Sequence, residues 1–133
     1  MASGMVDIPS RYSVPESLVR LEAILQEKGL TIFARVDHSG EAKKVGLEMR
    51  PTQLVIFGSP KGGTPLMQSI QTIGIDLPLK ALVWQDVSGK TWLSYNDPSW
   101  LAKRHGLGPD IDPAVNAITA ALSAVARKAT ASP

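Results

Sequence analysis

Lys80-Ala81-Leu82-Val83-Trp84-Gln85-Asp86-Val87-Ser88-Gly89-Lys90-Thr91-Trp92-Leu93-Ser94-Tyr95 is the stretch on which the architecture turns. Residues 80–85 and 90–95 are rich in aliphatic and aromatic side chains, and Asp86-Val87-Ser88-Gly89 lies between them. Strand formers on both sides of a short turn that ends in Gly predict a β-hairpin, and so an antiparallel sheet. Trp84 and Trp92 flank the turn and are expected to face each other across it.

Working outward, the flanks alternate helical and strand signals. Residues 1–12 are polar, with Gly and Pro, and are expected to lie loosely or to form a short edge strand. Ser13 and Glu16 have capping-box spacing, Pro15 sits in the first turn, and Leu18, Leu21, Ile24 and Leu25 recur at helical spacing. This predicts a helix over 14–28, stopped by Gly29. Residues 30–36, around Ile32 and Phe33, predict a strand. Residues 41–45 predict a short helix, with Ser39 as its N-cap. The apolar run 53–57 predicts a strand buried on both faces. Residues 59–63 predict a loop, and Thr64-Pro65 a helix start with Leu66, Met67 and Ile70 inward. Residues 73–77 predict a short strand stopped by Pro78. Residues 98–105 predict a helix ended by Gly106. Asp112 and Pro113 open a last helix, with Asp112 as N-cap, a stripe of Val115, Ile118, Leu122 and Val125, and Arg127-Lys128 at its C-terminal end. The segregated order predicts an α+β fold, a largely antiparallel sheet with helices packed on one face. The expected organisation is one domain over 13–129 and a tail over 130–133.

Composition narrows the function classes. The chain has 133 residues, 44% hydrophobic and 20% charged, which suits a packed globular domain. Its formal charge is only +2, too small an excess to point to nucleic acid as a partner. With no cysteine there are no disulfides, thiolate metal sites or cysteine nucleophiles. The longest aliphatic and aromatic run, Leu54-Val55-Ile56-Phe57, is far shorter than the ~20 residues of a spanning helix. Met1-Ala2-Ser3-Gly4-Met5 lacks a basic region followed by an apolar one. The resulting expectation is a cytoplasmic protein without membrane contact.

Several short pieces occur in a specific order. They are Gly29-Leu30-Thr31, Asp37-His38, Gly46-Leu47, Arg50-Pro51-Thr52, Phe57-Gly58-Ser59-Pro60, Gly63-Thr64-Pro65-Leu66-Met67, Asp76-Leu77-Pro78-Leu79-Lys80 and Tyr95-Asn96-Asp97-Pro98. With these pieces the chain resembles the family called domain of unknown function 302, a likeness that covers roughly residues 14–126. The family usually carries Asn where this chain has Ser59. The resemblance implies a curved antiparallel sheet with helices against one side, similar to the TATA-binding-protein-like arrangement, and often a homodimer. It implies no established activity, and likeness of fold to a DNA-binding protein carries no function.

The residues that could carry chemistry are few. Asp37-His38 follows a strand end, where His38 could act as a base, a proton-sensitive binder or a metal ligand and Asp37 could orient a neighbour. Asp37 can equally hydrogen-bond the turn backbone. His105, the other histidine, lies in a helix's last turn and is a weak second candidate for a metal. Gly58-Ser59-Pro60-Lys61-Gly62-Gly63-Thr64 is not a Walker A loop, but a glycine-rich entry into a helix can offer N–H groups to an anion, with Lys61 adding charge. Lys80 is a charge inside an apolar run, expected to face a pocket with Arg50 or to pair with Asp76, Asp37 or Glu48. Tyr95 could donate a hydrogen bond into such a pocket. No nucleophile with an adjacent base is visible, so catalysis is left open and no cofactor is expected. The leading expectation is a homodimeric domain binding a small anionic ligand between sheet and helices through Asp37, His38, Arg50, Lys61, Lys80 and Tyr95. The alternatives are a metal-assisted enzyme using His38, Asp37 and His105, and an interaction module with no small-molecule site.

Overall fold

The computed structural model describes residues 2–131. The end of the expected tail, residues 132–133, lies outside the described residues. The elements in order are β1 (Met5–Ser10), α1 (Val14–Glu27), β2 (Thr31–Asp37), α2 (His38–Lys44), β3 (Thr52–Gly58), α3 (Pro60–Ser69), a 3-10 segment (Gln71–Asp76), β4 (Leu79–Gln85), β5 (Thr91–Asn96), α4 (Pro98–His105), a short 3-10 turn (Pro109–Ile111) and α5 (Asp112–Thr130). The five strands form one sheet in the order β1-β5-β4-β3-β2, and every pairing is antiparallel. The fold class is α+β, as the sequence predicts.

Alternation along the strands decides what the helices cover. Val55 and Phe57 on β3, Ala81 and Val83 on β4, and Leu93 and Tyr95 on β5 point to one face. There they meet Leu21 and Leu25 of α1 and Leu122, Val125 and Ala129 of α5. The small side chains of Ala126 and Ala129 leave no bulk between α5 and this core. A second, smaller cluster joins Leu66 of α3, Ile73, Leu101 of α4 and Val115 of α5. The opposite face carries Leu54, Ile56, Leu82, Trp84 and Trp92, all half-buried. The apolar run in β3 is therefore not buried on both sides as its composition suggests, because the core helices close one face.

The hairpin matches its reading. Trp84 pairs with Trp92 across it, with ring centroids 6.2 Å apart and planes at 21°. Gly89 has φ 88°, which a turn at this point requires and other residues resist. Asp86 holds the turn together. Its Oδ2 accepts from Trp92 Nε1 at 2.8 Å, and its Oδ1 accepts from the Lys90 amide at 2.9 Å and from the Ser88 amide and hydroxyl.

Four local expectations are corrected. Residues 59–63 are not a loop: Ser59 is the N-cap, Pro60 begins α3, and the Gly62 and Gly63 amides both donate to the Ser59 carbonyl at 3.0 Å. Pro60 presets the helical φ, so the helix starts one turn before Thr64, and Pro65 is carried inside it. Residues 71–76 form a 3-10 segment instead of a strand, and Ile73 docks into the second cluster. α2 starts at His38, capped by Asp37, not by Ser39. Asp112 is the first helical residue of α5, and Ile111 occupies the cap.

Asp86 gives the turn a pH signature. Its carboxylate is held well below the ordinary range, first by the Trp92 indole and then by the Lys90 amide and Ser88. The unfolded chain therefore binds the proton more tightly than the folded one. The stabilisation is present above the ordinary carboxylate value near 4 and is lost as pH falls through the lower folded value. Urea unfolding between pH 5 and the acid limit should show a smaller loss of stability in Asp86→Asn than in the native protein. The same acid dependence in both would contradict the assignment.

Candidate functional site

The six sequence-predicted residues occupy five separate places. Asp37 ends β2 and caps α2, accepting from the Gly40 amide at 2.9 Å and the Ser39 hydroxyl at 2.8 Å. These bonds, the Gly40 amide foremost, hold its carboxyl below its usual value. Ser39 in turn accepts from the Thr52 amide at 3.2 Å, tying the start of α2 to β3. His38 is the first residue of α2 and is exposed. The pair is thus a cap and its neighbour, and Asp37 already has its partners.

Arg50 lies in the connector before β3, where its Nε donates to the Gln85 carbonyl at 3.2 Å. With Met49, Leu82 and Trp84 it borders a depression of about 280 Å³. Lys61 is exposed on α3. Lys80 sits on β4 opposite Ile56 and makes no ion pair among the described residues. Strand alternation sends Lys80 to the face opposite Ala81, while Asp37 and Asp76 are taken up by other partners. Tyr95 pairs with Ala81, faces the core and is 6% exposed. Burial raises its phenol, with a hydrogen bond to Ser123 opposing the shift. Lys80 and Tyr95 therefore stand on opposite faces of the sheet, and the six residues do not converge.

The fold assembles a cluster that spacing did not reveal. His105, at the end of α4, places Nε2 2.6 Å from Asp76 Oδ2, and both side chains are about nine-tenths buried, with 9% and 11% exposed. Arg104 Nη1 reaches both oxygens of Asp76 at 3.0 and 2.8 Å. The Thr72 hydroxyl lies 3.4 Å from His105 Nδ1. The cluster clamps the 3-10 segment onto α4. Its members are up to 33 residues apart in sequence, and only the apolar pattern that docks the two segments hints at their meeting. His105 is thus committed to Asp76, and among the described residues no three His, Asp or Glu side chains gather to hold a metal. The two-histidine metal site is not formed.

The larger cavity is about 490 Å³ and lies between α3, α5 and the adjoining ends of β3 and β4. Phe33, Phe57, Met67, Leu77, Ile118 and Leu122 line it, and no charged side chain does. The Gly62 and Gly63 amides on its rim are spent on Ser59. A carboxylate or phosphate there would lose its hydration with no cation in return, only the Ser59 and Thr64 hydroxyls. The expected anion site between sheet and helices is absent from this geometry.

The model of the family described as "Domain of unknown function DUF302" matches residues 6–125. The chain belongs to this family. A crystal structure of an uncharacterized conserved DUF302 protein from Bacillus stearothermophilus superposes with a TM-score of 0.85 at 19% identity, covering 96% of this chain and 99% of that one. That likeness establishes the fold alone.

Curated relatives carry a functional name. The chain is 49% identical over 127 residues to fluoride-specific ion channel FluC 1 of Brucella suis, covering 96% of this chain and 50% of the relative. Fluoride-specific ion channel FluC 1 of Brucella abortus is matched at the same identity over 47% of its length. The DUF302 chain thus spans about half the length of the curated relatives it matches. These relatives overturn the expectation of a cytoplasmic domain, remote from any membrane, that binds a small anionic ligand or runs a metal-assisted reaction. A channel is a membrane protein, and about half of each relative lies outside the match. Among the described residues, no helix is long and apolar enough to cross a membrane.

The Asp76 clamp and the Asp37 cap lead to different outcomes for the two histidines. His105→Ala should lower the unfolding free energy by about 1–3 kcal/mol, since it removes a charge-assisted bond from a largely buried carboxylate. His38→Ala should change it by less than about 0.5 kcal/mol, as exposed substitutions do. Urea titration of the two variants checks this, and equal effects would contradict the placement of His105.

Proposed function

We propose that this domain serves a fluoride-specific channel at the membrane, as a folded module that does not itself cross the bilayer. The observation that carries the reading is the match to half of each named relative, at 49% identity over nearly all of this chain. An ion channel needs helices or a closed barrel to span lipid, because backbone groups have no other partners there. The described residues offer neither. No helix is long and apolar enough, and the five-stranded sheet is open, with β1 and β2 as its edges. In the relatives, the spanning work then falls to the half outside the match, and the DUF302 half contributes a folded surface beside it.

The site geometry fits that division of labour. Asp37, Asp76 and Asp86 all serve caps, clamps and turns. These three carboxylates hold the fold, and the exposed apolar side chains have no such role within it. Such surfaces on a folded module are suited to contact with other protein or lipid.

The test is fluoride tolerance in the native host. Deleting the gene, or replacing it with Leu25→Asp to unfold the product, should lower the fluoride concentration that stops growth and leave chloride tolerance unchanged. Unchanged fluoride tolerance in both strains would overturn the reading.

A further inference from the structure

The connector between α2 and β3 holds Val45, Leu47 and Met49, which are 73%, 63% and 47% exposed. They alternate with Gly46, Glu48 and Arg50 along residues 45–50. Gly46 at φ 78° closes α2, with the Leu47 amide donating to the Ala42 carbonyl at 3.0 Å, and the three apolar side chains follow one another along this short exposed connector. The apolar surface continues past the connector. Met49 borders the same depression as Leu82 and Trp84, and Trp84 stacks on Trp92. Exposed aliphatic side chains, Met49 among them beside the half-buried Trp84, are the composition of an interfacial anchor.

The charges at the two ends of the connector suit an anionic surface. Lys43 and Lys44 close α2, and Arg50 follows Met49. Glu41 is taken up by Lys44 at 3.0 Å, and Arg50 spends only its Nε, on the Gln85 carbonyl. Across residues 41–50 there are three basic and two acidic side chains, so the stretch is weakly positive and its apolar centre is uncharged apart from Glu48. The geometry points to this connector as a membrane-contact loop: Val45, Leu47 and Met49 enter the headgroup boundary of a bilayer, and Lys43 and Arg50 meet anionic lipid on either side. This inference rests on the reading above only in placing the domain beside a membrane. It adds which surface faces the lipid.

Buried apolar side chains supply the binding and basic groups make it lipid-dependent. The experiment is co-sedimentation of the whole chain with phosphatidylcholine vesicles, with and without added phosphatidylglycerol. The native protein should pellet with vesicles, more strongly when phosphatidylglycerol is present. Leu47→Asp should weaken the binding by about tenfold or more, through loss of one anchor and gain of a charge at the lipid. Lys43→Gln should weaken binding to the phosphatidylglycerol vesicles alone. Both positions are exposed, and urea unfolding confirms that the variants remain folded. Absence of vesicle binding, or equal binding by Leu47→Asp, overturns the inference. So does self-association through the connector without vesicle binding, which assigns the surface to a second copy. A fluoride phenotype without vesicle binding would reject this loop and leave the channel reading standing. Vesicle binding without the phenotype would do the reverse.

Discussion

The packing of α1 and α5 against one face of the sheet is the constraint on which the rest of the molecule depends. Leu21 and Leu25 from one helix and Leu122 and Val125 from the other meet Val55, Val83 and Leu93. Burying one such side chain contributes about 1.5–3 kcal/mol relative to leaving it exposed. The strand alternation that creates this face also fixes the other one, because a slip of one residue would exchange them. Tyr95 inward and Lys80 outward follow from the same register. So does the position of Trp84 and Trp92, stacked on the face that the core helices leave alone.

Much of this was legible from periodicity. Leu18, Leu21 and Leu25 at helical spacing gave α1, and the Ala-rich stripe through Leu122 and Val125 gave α5. The hairpin was visible because Asp86 and Gly89 are turn residues with a mechanism: a carboxylate that gathers four donors and a backbone at φ 88°. The failures were local competitions. Gly62 and Gly63 read as a loop, yet Pro60 nucleates a helix through them. Ile73 read as part of a strand, yet its side chain is better buried in a 3-10 segment against Leu101 and Val115. The apolar run of β3 read as doubly buried, because composition cannot say whether a second layer exists.

The candidate site was far less legible, for a physical reason. Polar residues within apolar blocks look alike in sequence whether they bind a ligand or close a structure. Asp37 spends its oxygens on Gly40 and Ser39. Asp76 spends its own on Arg104 and His105, partners 28 and 29 residues away. Neither pairing can be read from spacing. The cavity between α3 and α5 is lined without a single charge, so the basic residues that suggested an anion site lie elsewhere. The proposed membrane role has no counterpart in these residues, because it rests on relatives about twice as long as this chain.

In the proposed reading, a DUF302 domain whose Asp37, Asp76 and Asp86 are committed to its own architecture presents its exposed apolar side chains to a membrane. The most direct measurement of this central claim is the location of the native protein in its own cells, by separating membranes from soluble contents and probing each with an antibody to this domain. The account predicts that the domain sediments with the membranes. Recovery of the whole population in the soluble fraction would contradict it.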